Sequence, residues 1–175
     1  MKIKIILVGP DGSGKSVLAA KLSKKYNIPI IKKTYAKSKK ENDIMFNMYM
    51  DMNDKDEIYD RYAHCELAYG LSVRGKTHIS TIQLDEIEEK LKQYNTLIIY
   101  CTGHIDNLWK RCQDRGEDYI KEKRILASVK QYYDLLFQYR QGGIKVLEYS
   151  IENQEEDYNK IENWIKEAEF NEVIK

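Results

Sequence analysis

IILVGPDGSGKS, residues 5–16, joins an apolar run to a glycine-rich turn. From Gly9 to Ser16 it matches G-x-x-x-x-G-K-[ST] at every fixed position. The match follows a β-branched apolar run, residues 2–8, which is typical of a central parallel strand. It precedes residues 14–26, where apolar side chains recur with a helical spacing. Because a phosphate-binding loop lies between a strand and a helix, the stretch predicts a site for a nucleoside triphosphate.

The chemistry of this loop follows from its residue types. Glycine lets the backbone curl so that successive N–H groups point at phosphate oxygens, and the helix N-terminus adds partial positive charge. We expect Lys15 to reach the β- and γ-phosphates and the Ser16 hydroxyl to ligate Mg²⁺. The predicted nucleotide-binding residues are Gly9, Asp11, Gly12, Ser13, Gly14, Lys15 and Ser16.

Length and composition exclude several classes of protein. A chain of 175 residues is long enough for one domain with a hydrophobic core and short for two. The 29 basic and 28 acidic residues leave a net charge of +1, which disfavours a large nucleic-acid surface without excluding a short basic groove. No apolar run is long enough to span a membrane, and Cys65, Cys101 and Cys112 form no pairing pattern. We therefore expect a cytoplasmic protein with ordinary buried thiols.

Five short apolar strands alternate with helices along the chain. The strands are predicted at residues 2–8, 28–31, 57–59, 97–100 and 144–149. The helices are predicted at residues 14–26, 42–52, 63–73, 84–94, 105–115, 118–139 and 155–170. This alternation is typical of a doubly wound α/β domain, in which a five-stranded parallel sheet is flanked by helices. We expect a single P-loop domain over residues 1–175.

A second cluster with polar residues, IYDRYAHCELAYG, lies at residues 58–70, at the end of the third predicted strand. A carboxylate that leaves a parallel strand faces the crevice in which ligands of open α/β sheets bind. Asp60 could therefore organise Mg²⁺ or accept a proton, and Arg61 could bridge phosphate groups bidentately. The histidines His64, His78 and His104 have no metal-ligand spacing, so we expect them at the surface or behind other side chains.

The phosphate loop, the DRY triplet and the AYG triplet together resemble the thymidylate kinase family, within the nucleoside monophosphate kinase and deoxynucleoside kinase group. The family pattern is D-R-Y-x-x-S-x-x-A-Y-Q-G, of which this chain keeps Asp60, Arg61, Tyr62, Ala68, Tyr69 and Gly70. It has Cys65 in place of the serine and lacks the glutamine. The resemblance implies a P-loop nucleotide kinase, with Tyr62 among the substrate-binding residues.

The same resemblance assigns roles around the acceptor. Asp11 would approach the 3′-hydroxyl of the acceptor's sugar, and Tyr69 would crowd the 2′ position and favour deoxyribose. Arg61 would contact the γ-phosphate of the donor and the phosphate of the acceptor together. The loop at residues 150–153 would hold the adenine of ATP.

NLWKRCQDRGEDYI, residues 107–120, is similar to the lid of that family. Arg111 and Arg115 match its two arginines and, four residues apart on one helix, share a face. A lid over residues 111–124 would close on the triphosphate, neutralise charge on the transferred phosphoryl group and exclude water. The alternative is a solvated basic helix paired with the acidic residues 117 and 118. With the lid included, the predicted catalytic residues are Lys15, Asp60, Arg61, Arg111 and Arg115.

The chain departs from the family between residues 32 and 57. The family spends about twice as many residues there, including an R-E-P-G-G stretch and an arginine that reads thymine, and this chain has no arginine before Arg61. Phe46 and Tyr49 are candidates to stack on a base, although a Met-rich helix is more often plain core. The acceptor-binding region is therefore shortened, and the base stays open.

The sequence therefore favours an enzyme that uses ATP and Mg²⁺ to phosphorylate a small nucleotide or nucleoside, with a pyrimidine deoxynucleotide such as dTMP as the first expectation. A second hypothesis keeps the phosphoryl transfer but places the acceptor hydroxyl in a polynucleotide or another metabolite, with the lysine-rich residues 32–40 as the phosphate-tracking surface. A third is an ATP-sensing regulatory protein that transfers no phosphate. Whether the chain acts alone or as a homodimer stays open.

Overall fold

A five-stranded parallel sheet forms the centre of the molecule in the computed structural model. The structure describes residues 2–33, 41–116, 119–139 and 143–173. The strands are β1 Ile3–Val8, β2 Ile30–Ile31, β3 Glu57–Asp60, β4 Asn95–Thr102 and β5 Lys145–Ser150. Their spatial order is β2-β3-β1-β4-β5, with every pair parallel. The predicted doubly wound α/β fold is confirmed.

Helices cover both faces of the sheet. They are α1 Lys15–Tyr26, α2 Glu41–Met50, α3 Ala63–Tyr69, α4 Thr81–Leu91, α5 Ile105–Asp114, α6 Lys123–Tyr139 and α7 Gln154–Val173. Along β1, Ile5 and Leu7 face a core that includes α1 and α7, whereas Ile6 and Val8 face a core that includes α3, α4 and α6. This alternation with period two is why a strand buried on both faces has a continuous apolar sequence. No helix in the described part of the chain is long and apolar enough to cross a membrane.

Several predicted helix boundaries differ from the observed ones, and for α4 the local reason is visible. The helix predicted at 84–94 lies three residues earlier, because Ser80 and Gln83 form a reciprocal capping box at its start. The helix predicted at 63–73 ends as an α-helix at Tyr69 and continues as a π-helical turn, Gly70–Arg74. The helix predicted from residue 118 begins at Lys123.

The core holds polar residues that the sequence analysis did not place there. The lysine of β1, Lys4, is fully buried and donates hydrogen bonds to the Glu57 carboxylate at 2.7 Å and to two backbone carbonyls at 2.8 Å. His64, expected at the surface or behind other side chains, is completely buried and lies 2.9 Å from the carboxylate of Glu88. His78 is buried as well, whereas His104 is exposed.

Candidate functional site

The phosphate loop connects β1 to α1 and packs closely against neighbouring backbone. Gly9, Gly12 and Gly14 all have positive φ angles, 139°, 80° and 84°. A Cβ on Gly9 would lie 1.9 Å from the carbonyl oxygen of Cys101, and one on Gly12 would lie 2.5 Å from that of Leu108. Because no side chain fits at these two positions, the loop is fixed against the end of β4 and against α5.

Lys15, the first residue of α1, is buried beneath the loop. Its ammonium group donates hydrogen bonds to the carbonyl oxygens of Gly9 at 2.8 Å and Pro10 at 2.6 Å. Burial lowers the pKa of Lys15, and the positive charge of Arg61 lowers it further. The two hydrogen bonds hold the ammonium group at the centre of the loop, where phosphates are expected.

Ser16 and Asp60 meet at the carboxyl edge of the sheet. The Ser16 hydroxyl donates a hydrogen bond of 2.7 Å to Oδ2 of Asp60, the last residue of β3. The other oxygen, Oδ1, is buried and accepts no hydrogen bond from the residues that the structure describes. A hydroxyl beside a carboxylate with such an oxygen fits Mg²⁺, which uses one or two protein oxygens and keeps waters and phosphates as its other ligands.

Arg61 follows immediately and turns back over the phosphate loop. Its backbone has φ of 81°, a left-handed conformation that costs a non-glycine residue about 1–3 kcal/mol and is concentrated at functional sites. Its guanidinium donates a 2.7 Å hydrogen bond to Asp11 and lies 5.5 Å from the centre of the Tyr69 ring. Burial disfavours the charge of Arg61, but the Asp11 carboxylate outweighs burial and raises the pKa. Two residues predicted from separate motifs are therefore joined directly.

A cavity of about 460 Å³ opens beside these residues. Ser16, Asp60 and Arg61 line it at the carboxyl edge of the sheet, and Tyr49, Tyr62 and Tyr69 supply aromatic wall. The other lining residues are Lys32, Lys33, Met45, Cys65, Glu66, Arg74 and Tyr119. Its volume is in the range that accommodates a small-molecule ligand. Phe46, the second aromatic candidate of α2, packs partly buried against the core and is not among the lining residues.

The two arginines predicted for the lid lie at the end of α5. The guanidinium of Arg111 is 3.8 Å from the position that a Cβ on Gly14 would occupy, so it lies over the phosphate loop. Arg115 caps the C-terminus of α5 and is exposed. Residues 117 and 118, the proposed acidic partners, lie outside the described residues, as do residues 34–40 of the lysine-rich stretch. The structure thus brings Arg111 to the site, while closure of a lid stays a prediction.

A second cavity, of about 490 Å³, lies at the ends of β4 and β5 and includes Ser150 and Glu152 of the predicted adenine loop. The Glu152 carboxylate accepts hydrogen bonds from the backbone N–H of His104 at 3.0 Å, from Asn107 at 2.8 Å and from the Ser150 hydroxyl at 2.5 Å. Some loss of hydration opposes its ionisation, but these hydrogen bonds outweigh that loss and lower the pKa to about 2. Glu152 therefore joins the loop that follows β4 to the loop that follows β5.

Sequence reasoning missed one pair in the first cavity. Arg74 donates a hydrogen bond to the carboxylate of Glu66, and the two lie eight residues apart. The chain can fold back here because Gly70 has no side chain: a Cβ at this position would lie 2.8 Å from the carbonyl oxygen of Lys76. Gly70 in the AYG triplet could have indicated that the chain turns back here, but it does not indicate that Glu66 and Arg74 are in contact.

Comparison with known proteins agrees with this architecture. No family model matches the chain. The SPbeta prophage-derived uncharacterized protein YorR of Bacillus subtilis (strain 168) is 33% identical over 134 residues, which is 75% of this chain and 81% of the relative.

Solved structures extend the comparison to the fold. A crystal structure of YorR from Bacillus subtilis in complex with phosphorylated GDP has a TM-score of 0.79 at 27% identity, covering 96% of this chain and 98% of that chain. A deoxyadenosine kinase from M. mycoides with the products dCMP and dCDP has a TM-score of 0.64 at 15% identity, covering 94% of this chain and 98% of that chain. The likeness to the deoxyadenosine kinase shows a nucleoside kinase-like P-loop fold, and the identity to YorR over most of both chains shows that this chain belongs to the YorR family.

Proposed function

We propose that the chain transfers the γ-phosphoryl group of ATP to a deoxynucleoside monophosphate or a deoxynucleoside. The observation that carries this proposal is the hydrogen bond between Arg61 and Asp11, which joins the phosphate loop to the wall of the 460 Å³ cavity. Ser16 of the loop also lines this cavity, together with Asp60 and Arg61, so a triphosphate on the loop and an acceptor in the cavity would be neighbours. The nucleotide in the YorR crystal structure supports a nucleotide site in this family.

In the proposed reaction, an acceptor oxygen forms a bond to the γ-phosphorus as the bond from that phosphorus to the bridging oxygen breaks, and ADP leaves with the electron pair. Lys15 and the loop N–H groups would hold the donor, and Ser16 and Asp60 would hold Mg²⁺, which would neutralise phosphate charge. Arg61, Arg111 and Arg115 would stabilise charge on the transferred group. A monophosphate acceptor needs no strong base, whereas a hydroxyl acceptor would give its proton to Asp60.

The resemblance to thymidylate kinases suggests the sugar contacts and a first candidate acceptor. Asp11 and Tyr69 would bind the deoxyribose, and Tyr49 and Tyr62 would complete the wall around the base. A thymine nucleotide such as dTMP is the acceptor that the resemblance suggests. The cytoplasm, where ATP is abundant, is the proposed compartment.

The test is a coupled assay of ADP or GDP release, with ATP or GTP as donor and all deoxynucleosides and their monophosphates as acceptors. Turnover with at least one acceptor supports the proposal. If every acceptor leaves turnover at background hydrolysis while ATP binds, the regulatory hypothesis replaces it. If turnover appears only with single-stranded DNA, with a steep dependence on salt, the acceptor is a polynucleotide.

Arg61→Ala tests the assigned role of Arg61. It should reduce kcat at least about a hundredfold, in line with the loss of one preorganised donor from a transition state, and leave the affinity for ATP within about threefold. Arg61→Lys keeps the charge but not the planar fork, so it should restore only part of the rate. Lys160→Ala removes an exposed cation from α7 and serves as the control. An equal loss of turnover and ATP affinity in Arg61→Ala would contradict the role.

A further inference from the structure

Glu66 and Arg74 form a charged pair in the wall of the 460 Å³ cavity. The side chain of Glu66 is only 5% exposed, and that of Arg74 is 26% exposed. One carboxylate oxygen, Oε1, accepts hydrogen bonds from Arg74 and from the backbone N–H of His78, the latter at 3.0 Å. The other oxygen, Oε2, accepts none from the residues that the structure describes. Because Glu66 lines the cavity, a ligand that brings N–H groups into it would find an anionic acceptor in the wall.

Aromatic rings surround this pair. Tyr49 is buried and close enough to Glu66 and Arg74 for their charges to affect its pKa, which burial raises above the ordinary value. The rings of Tyr69 and Tyr119 lie 6.2 Å apart, and the Tyr119 hydroxyl accepts a 3.5 Å hydrogen bond from Arg74. Flat rings beside a polar pair suit a planar heterocycle, which can stack on the rings while its edge meets the charged groups.

The positions of the charged residues indicate how a nucleoside would be oriented in the cavity. Arg61 precedes α3 and contacts the phosphate loop through Asp11, whereas Glu66 lies on α3 and Arg74 ends the turn that follows it. A nucleoside that directs its 5′ end toward Arg61 would therefore direct its base toward Glu66 and Arg74.

We propose that Glu66 and Arg74 make guanine the preferred base of the acceptor. This inference rests on the proposed function and replaces thymine as the expected base. Guanine presents two adjacent donors, N1–H and the N2 amino group, to the carboxylate of Glu66. Beside them it presents two acceptors, O6 and N7, which match a guanidinium bidentately. A carboxylate next to a guanidinium thus reads the whole edge of guanine.

The other bases match this pair less completely. Adenine offers one amino group between two ring acceptors, so the carboxylate gains a single hydrogen bond and faces a lone pair beside it. Thymine places its N3–H between two carbonyl oxygens, which would repel the carboxylate. Cytosine offers one amino donor with acceptors next to it and is the nearest competitor, with one hydrogen bond fewer to Glu66.

The first test uses the unaltered protein and changes single atoms of the acceptor. We expect kcat/KM to be highest for deoxyguanosine or dGMP in the ADP-release assay. The hypoxanthine analogue, deoxyinosine or dIMP, differs only by the missing N2 amino group and should be about tenfold to a hundredfold poorer, as expected for one hydrogen bond to a charged group. Equal kcat/KM for the guanine and hypoxanthine acceptors would overturn the role of Glu66.

The second test asks whether Glu66 binds the N2 amino group of guanine. Glu66→Gln should lower kcat/KM for the guanine acceptor at least about tenfold. It should lower that for the hypoxanthine acceptor less, since the N2 contact is already absent there. Glu156→Gln, an exposed glutamate on α7 whose side chain is 74% exposed, is the matched control and should change neither. The same loss for both acceptors would show that Glu66 only supports the fold.

These outcomes separate the base inference from the proposed function. Preferred turnover of a cytosine, thymine or adenine acceptor would leave the kinase function standing and overturn the guanine assignment. An absence of turnover with every acceptor would overturn the proposed function. Base binding can then be checked independently by the thermal shift that deoxyguanosine and deoxyinosine produce without ATP, and an equal shift would count against the inference as well.

Discussion

Replacing Gly12 by alanine tests how the phosphate loop is held against α5. Two costs add up at this position. A left-handed residue with a side chain costs roughly 1–2 kcal/mol, and the φ of Gly12 is 80°. The new Cβ would also lie 2.5 Å from the carbonyl oxygen of Leu108, where ordinary contact begins at 3.4 Å. Relieving that overlap requires a shift of the loop or of α5, and such overpacking costs about 1–3 kcal/mol.

Gly75→Ala is the matched control. Gly75 has φ of 68°, and nothing lies within 4 Å of the Cβ that alanine would add, so only the backbone cost of about 1–2 kcal/mol applies. We therefore expect Gly12→Ala to be destabilised by about 2–5 kcal/mol in total, which exceeds the loss in Gly75→Ala by about 1–3 kcal/mol. Urea unfolding of the two variants, with unchanged m values, measures this difference.

Activity supplies a second readout for Gly12→Ala. Because Arg111 lies on α5 and its guanidinium lies over the phosphate loop near Gly14, a shift of α5 would also displace this cation. A displacement of about 1 Å can cost a hundredfold in rate, so turnover should fall even where the variant is fully folded. The reasoning fails if Gly12→Ala unfolds at the same urea concentration as Gly75→Ala, because the close approach to Leu108 would then have no energetic consequence.

Two further predictions concern buried and bridging charges. Lys4→Met leaves the buried Glu57 carboxylate without its cation and should lower the free energy of unfolding by about 3–5 kcal/mol. Adding Glu57→Gln should recover part of this loss. Equal stability of Lys4→Met and the parent would refute the reasoning. The lowered pKa of Glu152, about 2, means that its stabilisation is fully present above the ordinary pKa of 4.5 and is lost as pH falls through 2. Glu152→Gln should therefore unfold more easily than the parent at pH 7 but not at pH 2, in thermal melts at both values; a constant difference would contradict the hydrogen-bonded carboxylate.

Local pattern was sufficient for the fold class. A strand buried on both faces of a parallel sheet is a largely apolar run, and β1, Ile3–Val8, lies within one residue of its predicted bounds. The edge strand β5, Lys145–Ser150, also lies within one residue of its predicted bounds. The phosphate loop was equally readable, because its glycines, Lys15 and Ser16 all act within eight consecutive residues. The bounds of α4 differ from the predicted ones because the Ser80–Gln83 capping box starts this helix before its apolar pattern begins.

The sequence pattern did not indicate which distant residues are in contact. Ser16 and Asp60 are 44 residues apart, and Asp11 and Arg61 are 50 apart; each was proposed for the site, but their direct contact was not. Lys4 lies within the apolar run of β1, and its burial is explained by the position of Glu57 on the neighbouring strand.

By itself, the sequence determined the parallel α/β architecture and the place of the phosphate loop, because both depend on interactions between residues close in the chain or on the period of apolar side chains. Tertiary structure alone decided what lies opposite the loop: the Arg61–Asp11 contact, the cavity beside it and the Glu66–Arg74 pair in its wall. These contacts depend on which strands are neighbours and on where the chain turns back after Gly70. Charged side chains have no sequence period from which such contacts could be predicted.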